Sequence, residues 1–155
     1  MADKEKPHQT DPEQIKLKTE SYFTSRPEVL FAYLFGSVAA GKTTALSDID
    51  LAVYLDPEFR EPSTGFGYQS ELITELSSML ETKTDLVILN KANLILKFQV
   101  INKGILIYCR DDHARRDFHE KTVRDYLDFK PFLEVQAHYL KKRLQDNTFG
   151  GGRAG

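Results

Sequence analysis

Apolar and polar positions alternate along this chain in two periods. Asp11-Pro12 reads as an N-cap followed by proline at the first helical position, so a helix is expected from there to near Arg26-Pro27. Val29 to Phe35 is an unbroken apolar run rich in aromatics, and its length favours a buried strand. Asp48 to Leu55 alternates and then turns apolar, as a second strand would. Asp56 to Gly67 holds two prolines and two glycines and reads as a loop. Leu72, Ile73, Leu76, Met79 and Leu80 recur at helical spacing over residues 68–82. Asp85 to Leu89 is a third strand. Ala92 to Asn102 is a short helix with Gly104 as its stop. Ile105 to Tyr108 is a fourth strand, and Asp112 to Gln145 forms one or two helices interrupted near Pro131.

Strands alternating with helices imply a single α/β (α+β) domain: a small mixed sheet of about four strands with flanking helices. Residues 1–10 read as a mobile lead-in, 11–146 as the domain with a C-terminal helical segment from 111, and 147–155 as a flexible, glycine-rich tail. A length of 155 residues and 41% hydrophobic content suffice for one core. The formal net charge of -2 supplies no global positive field for nucleic acid. Cys109 is the only cysteine, so no internal disulfide can form and a reduced, cytoplasmic setting is expected. No apolar stretch approaches the length of a membrane span, and the polar start is unlike a secretory signal. His8, His113, His119 and His138 lack zinc-ligand spacing with one another or with Cys109.

Candidate chemistry concentrates around one glycine-rich turn. Gly36 to Thr43 satisfies the phosphate-loop pattern G-x-x-x-x-G-K-[ST] and follows a strand. A phosphate loop needs a substantial helix starting at its lysine. Only Thr44, Ala45, Leu46 and Ser47 separate Thr43 from the next strand. A parallel crossover takes at least about ten to twelve residues, so that reading is set aside.

The same glycine supports a second reading. Ten residues after Gly36-Ser37 come Asp48-Ile49-Asp50, whose alternation puts both carboxylates on one strand face. Two such charges about 4 Å apart repel by about 4 kcal/mol at an effective dielectric near 20, which favours a cation between them. Magnesium, a hard ion that takes oxygen ligands and substrate phosphates, suits the pair. Gly36 permits close approach of a phosphate and Ser37 can donate to it. Asp85 completes a three-carboxylate cluster if its strand lies beside that of Asp48.

Gly-Ser, ten residues, Asp-x-Asp and a distant Asp together resemble the nucleotidyltransferase superfamily of the polymerase β type. The short form around Ser47-Asp48-Ile49-Asp50-Leu51 resembles its minimal nucleotidyltransferase (MNT) branch. Asp125-Tyr126-Leu127-Asp128-Phe129 resembles antitoxin members that pair with HEPN toxins. The resemblance implies that Asp48, Asp50 and Asp85 hold two magnesium ions, with Asp85 also a possible general base. Gly36, Ser37 and Ser47 would bind the nucleotide, the first two by positioning the phosphates of ATP and Ser47 beside the carboxylates. It implies an antitoxin that transfers AMP to a tyrosine of a HEPN ribonuclease toxin. Alternatives are transfer to a small hydroxylated acceptor, or neutralisation by binding alone. The implied partners are a cognate HEPN toxin in a hetero-oligomer and ATP, without direct contact to nucleic acid or membrane.

Two features stay open at this level. Asp111, Asp112, Arg115, Arg116 and Asp117 are most simply a solvated helix start. Val123, Tyr126, Leu127, Phe132, Leu133, Tyr139 and Leu140 form a stripe that either packs on the sheet or faces a partner.

Overall fold

The computed structural model describes residues 11–42, 47–62 and 67–150, with side chains to residue 146. The expected lead-in at 1–10 and the last five residues lie outside them. Helix α1 (Pro12–Thr24) starts where its cap demands: the Asp11 side chain accepts the Glu13 amide at 3.2 Å. Strand β1 (Val29–Phe35) follows, then a four-residue helix α2 (Gly36–Ala39). Strand β2 (Ile49–Leu55), helix α3 (Tyr68–Leu80) and strand β3 (Thr84–Ile88) come next. A 3₁₀ turn at Leu89–Lys91 leads into helix α4 (Leu94–Lys103), strand β4 (Ile105–Cys109) and helix α5 (Asp112–Gly150).

The four strands form one mixed sheet in the order β3-β2-β1-β4. β1 pairs antiparallel with β2 and β4, and β2 runs parallel to β3. The apolar run at 29–35 is therefore a central strand, which explains why it does not alternate. Helices α1 and α3 cover one face, where Ile15, Phe23, Leu72 and Leu76 meet Ile49, Leu51 and Val53, all fully buried. Helix α4 and the first half of α5 cover the other face over Phe31, Tyr33 and Ala52. Asn90 continues the sheet beyond β2 by exchanging two 2.8 Å hydrogen bonds with the Leu55 backbone.

Three local expectations change. α5 runs through Pro131 without a break and includes the backbone of residues 147–150. Pro131 costs the helix the bond to the Leu127 carbonyl, but both residues are exposed, so water can take that place. Gly104 closes α4 in extended backbone, not the left-handed turn a glycine stop usually marks. The glycine is needed there for another reason: a Cβ would run into the Val100 carbonyl and lie 3.2 Å from that of Leu34. The C-terminal stripe divides. Tyr126 stacks on Phe98 with ring centroids 3.6 Å apart, and Val123 is half-buried. Beyond them Leu127, Phe132, Tyr139 and Leu140 are exposed, each by more than half.

Candidate active site

The acidic residues collect where β1 ends and β2 and β3 begin. Ile49, Leu51 and Val53 point into the α1/α3 core, so alternation turns Asp50, Ala52 and Tyr54 to the opposite face. On β3 the buried Thr84, Leu86 and Ile88 likewise leave Asp85 and Val87 on the Asp50 side. Asp50 and Asp85 are register partners across the parallel pair. Adjacent strands lie about 4.8 Å apart, so the two carboxylates are neighbours. Asp48 sits just ahead of β2, with its side chain 45% exposed.

Gly36 joins this group through the antiparallel pairing of Phe35 with Asp50. Its φ is +75°, in the left-handed region that favours glycine. A Cβ at Gly36 would also overlap Asp50 Oδ2 and lie 3.2 Å from its Cγ. One glycine thus serves a turn and leaves room for a carboxylate. Ser37 follows on α2, half-buried, and its carbonyl accepts the Lys42 amide at 2.9 Å. Ser47 is half-buried directly before Asp48. Thr43 to Leu46 lie outside the described residues. The phosphate-loop reading fails on topology as well as length: β1 and β2 are antiparallel, and the short helix precedes Lys42 instead of starting at it.

The electrostatics follow from this placement. Burial raises the Asp50 carboxyl above the usual carboxylate range, and the negative charges of Asp85 and Asp48 raise it further. A hard divalent cation with oxygen ligands would relieve that repulsion, so the donor set fits magnesium. As they stand, the three side chains are not drawn into one ligand set. Among the described residues no group of three His, Cys, Asp or Glu is assembled to hold a metal. Asp85 accepts the amide of its own neighbour Leu86 at 2.9 Å. Asp48 Oδ2 lies 3.7 Å from Lys83 Nζ. Lys83 is the residue that sequence reasoning missed. Its position opposite Asp48 depends on the β2–β3 register, which no local pattern reveals.

The far end of the same sheet face carries a cavity of about 590 Å³ between α4, α5 and β2. Tyr54, Asn90, Lys97, Phe118 and Lys121 contribute to its wall, and none of the three carboxylates does. It is an open cleft with largely polar and charged walls beside an aromatic cluster, separate from the acidic group. Among the described residues no helix is long and apolar enough to cross a membrane.

Comparison with known proteins agrees with this geometry. No curated protein matches the chain. Among solved structures, a toxin–antitoxin with AMP-PNP superposes with a TM-score of 0.69 at 25% identity, over 81% of this chain and 98% of the other. The toxin–antitoxin MntA-HepT gives 0.62 at 23% identity, over 83% and 98% of the two chains. A tri-AMPylated Shewanella oneidensis HEPN toxin in complex with MNT antitoxin gives 0.61 at 23% identity, over 82% and 98%. The last two likenesses speak for the fold alone. The family model "Polymerase beta, Nucleotidyltransferase" matches residues 17–113, a span that runs from α1 to the start of α5 and contains Gly36, Asp48, Asp50 and Asp85. With more than half of its length matched, the chain belongs to the polymerase β nucleotidyltransferase family.

Proposed function

We propose that this protein is an antitoxin that transfers AMP from ATP to a tyrosine hydroxyl of a cognate HEPN ribonuclease toxin. The observation that carries the reaction class is the close approach of Gly36 to Asp50, with Asp85 in register beside it. The acceptor rests on the company its structural neighbours keep: toxin–antitoxin complexes, one with AMP-PNP and one with an AMPylated toxin.

The residues divide the work. Asp48 and Asp50 would hold two magnesium ions, with Asp85 as a ligand of one. Bound there, the ions would spread the triphosphate charge and make the attacking hydroxyl more acidic. The Gly36-Ser37 turn lets the phosphates lie close to the backbone. Asp85 takes the proton of the tyrosine hydroxyl. The phenolic oxygen then bonds to the α-phosphorus as the bond to the β-phosphate oxygen breaks, and pyrophosphate leaves.

The outer half of α5 supplies a surface for such a partner. Leu127, Phe132, Val135, Tyr139, Leu140 and Leu144 are each more than half exposed. Isolated exposed apolar residues are ordinary, but six along one projecting helix are not.

The test is direct. The chain is incubated with labelled ATP, magnesium and a candidate HEPN toxin, and the toxin is weighed by mass spectrometry. The expected result is a mass gain of one or more AMP units, absent with the Asp48→Ala/Asp50→Ala variant. Label on a small hydroxylated acceptor and not on protein would replace the toxin by that acceptor. Neutralisation by the double variant without transfer would make this a binding antitoxin.

A further inference from the structure

We propose that Lys83 is a substrate-positioning lysine: it holds Asp48 before the metal arrives and then turns to the nucleotide triphosphate. The inference rests on the reading of the acidic group given above, and extends it to a residue outside the family-like motif.

Placement begins with the backbone. Ile49 and Thr84 are register partners, and the Ile49 amide donates to the Lys83 carbonyl at 3.0 Å. The residues just before that pair, Asp48 and Lys83, therefore leave the two strands side by side. Their side chains meet at 3.7 Å. Strand pairing sets the two backbones side by side, and the flexible lysine stem reaches the carboxylate from there. Among the described residues, Lys83 is the one basic side chain in ion-pair contact with any of the three carboxylates.

Charge gives the contact its meaning. Three carboxylates share one strand end, and the Asp50 carboxyl is crowded by the other two. The ammonium of Lys83 offsets part of that repulsion while no metal is bound. Among the described residues the common ligand set is not assembled in this conformation, and Asp48 is paired with Lys83 instead. A divalent ion binding at Asp48 competes directly with Lys83 for the same oxygen.

The released lysine is free to reach a ligand over the cluster. Its side chain is 82% exposed and has a long flexible stem. Once metal takes the Asp48 charge, the triphosphate held over the cluster becomes the strongest negative field nearby. Lysine suits it as a mobile point charge. The pair thus acts as an exchange: carboxylate to metal, ammonium to phosphate.

The exchange predicts opposite effects on two ligands, which a purely structural lysine would not produce. Mn²⁺ binding to the nucleotide-free protein is measured by electron paramagnetic resonance, and AMP-PNP binding with Mg²⁺ by calorimetry. Lys83→Met should bind Mn²⁺ about two- to five-fold tighter, the scale of one exposed ion pair, and AMP-PNP weaker by a similar factor. Lys83→Arg should restore both toward wild type. Thermal melting of each variant confirms an unchanged fold, as expected for so exposed a side chain. Affinities that stay unchanged, or that move in the same direction, overturn the exchange. A wild-type protein that binds neither Mn²⁺ nor AMP-PNP overturns the reading of the acidic group itself, a separate failure.

Discussion

One face of the sheet has two ends that are held in opposite ways. At the Tyr54 end, Phe31 is fully buried, its ring 4.9 Å from Tyr54 and 5.6 Å from Phe118. That end is held by packing, and removing any part of it leaves a hole. At the Asp50 end, a carboxylate lies tight against Gly36 and feels the charges of Asp85 and Asp48. That end is under electrostatic tension, and neutralising part of it brings relief. The cavity lies at the packed end and the proposed chemistry at the tense end. Perturbed charges mark where the fold tolerates a cost it could have avoided, which a cavity by itself does not.

The contrast can be broken most forcefully at the packed end. Phe31→Ala should lose about 3–5 kcal/mol of stability, read by urea unfolding, because no neighbour can refill the space. A loss under about 1 kcal/mol would mean that the aromatic cluster is loosely packed. The next effect is at the hinge of the tense end. Gly36→Ala combines a left-handed backbone with an overlap on Asp50, and should cost about 1–3 kcal/mol and abolish nucleotidyl transfer. Both are read on one sample, by unfolding and by the AMP-transfer assay.

Asp50→Asn should move stability the other way. The folded-state carboxyl titrates above its ordinary value of 3.8, so the folded protein binds more protons than the unfolded chain between the two. Wild-type stability from this group therefore falls as pH rises from 3.8 through the folded value, and the penalty is fully present above it. The variant should melt higher than wild type at pH 7 without metal, and the gap should close on acidification below 3.8. Added Mg²⁺ should raise the melting temperature of wild type and not that of the variant. A variant that melts lower at pH 7 would remove the idea of tension at this end.

The smallest expected effect belongs to the outer half of α5. Phe132→Ser and Tyr139→Ser should each change the stability of the isolated chain by no more than about 0.5 kcal/mol, since these side chains are exposed. The same pair should impair toxin capture in a pull-down. Large losses in the isolated chain would show instead that the helix folds back on the sheet.

How far the chain could be read in advance differs between these regions. Strand and helix positions follow from period and capping, because those signals act over a few residues: Asp11, the 29–35 run and the 72–80 spacing each specify their own element. The acidic site was legible because Gly36-Ser37 and Asp48-Ile49-Asp50 lie close in sequence and alternation settles the face of Asp50. Pro131 misled, since a proline ends a helix only when the lost hydrogen bond cannot be replaced. Gly104 does stop α4 as read, but the need for a glycine comes from the Val100 carbonyl of that helix and the Leu34 carbonyl of β1.

The sequence by itself therefore determined the elements, the family and the turn that carries the Gly36 and Asp50 pair. Tertiary structure alone decided the rest. The antiparallel β1–β2 pairing put Gly36 against Asp50 and excluded a phosphate loop. The parallel β2–β3 register put Asp85 beside Asp50 and Lys83 beside Asp48. The packing of α5 on α4 divided the C-terminal stripe into a packed and an exposed part. The physical reason is common to all three: side-chain period is a local property of the backbone, whereas strand order and register are chosen by which faces the whole chain can bury together.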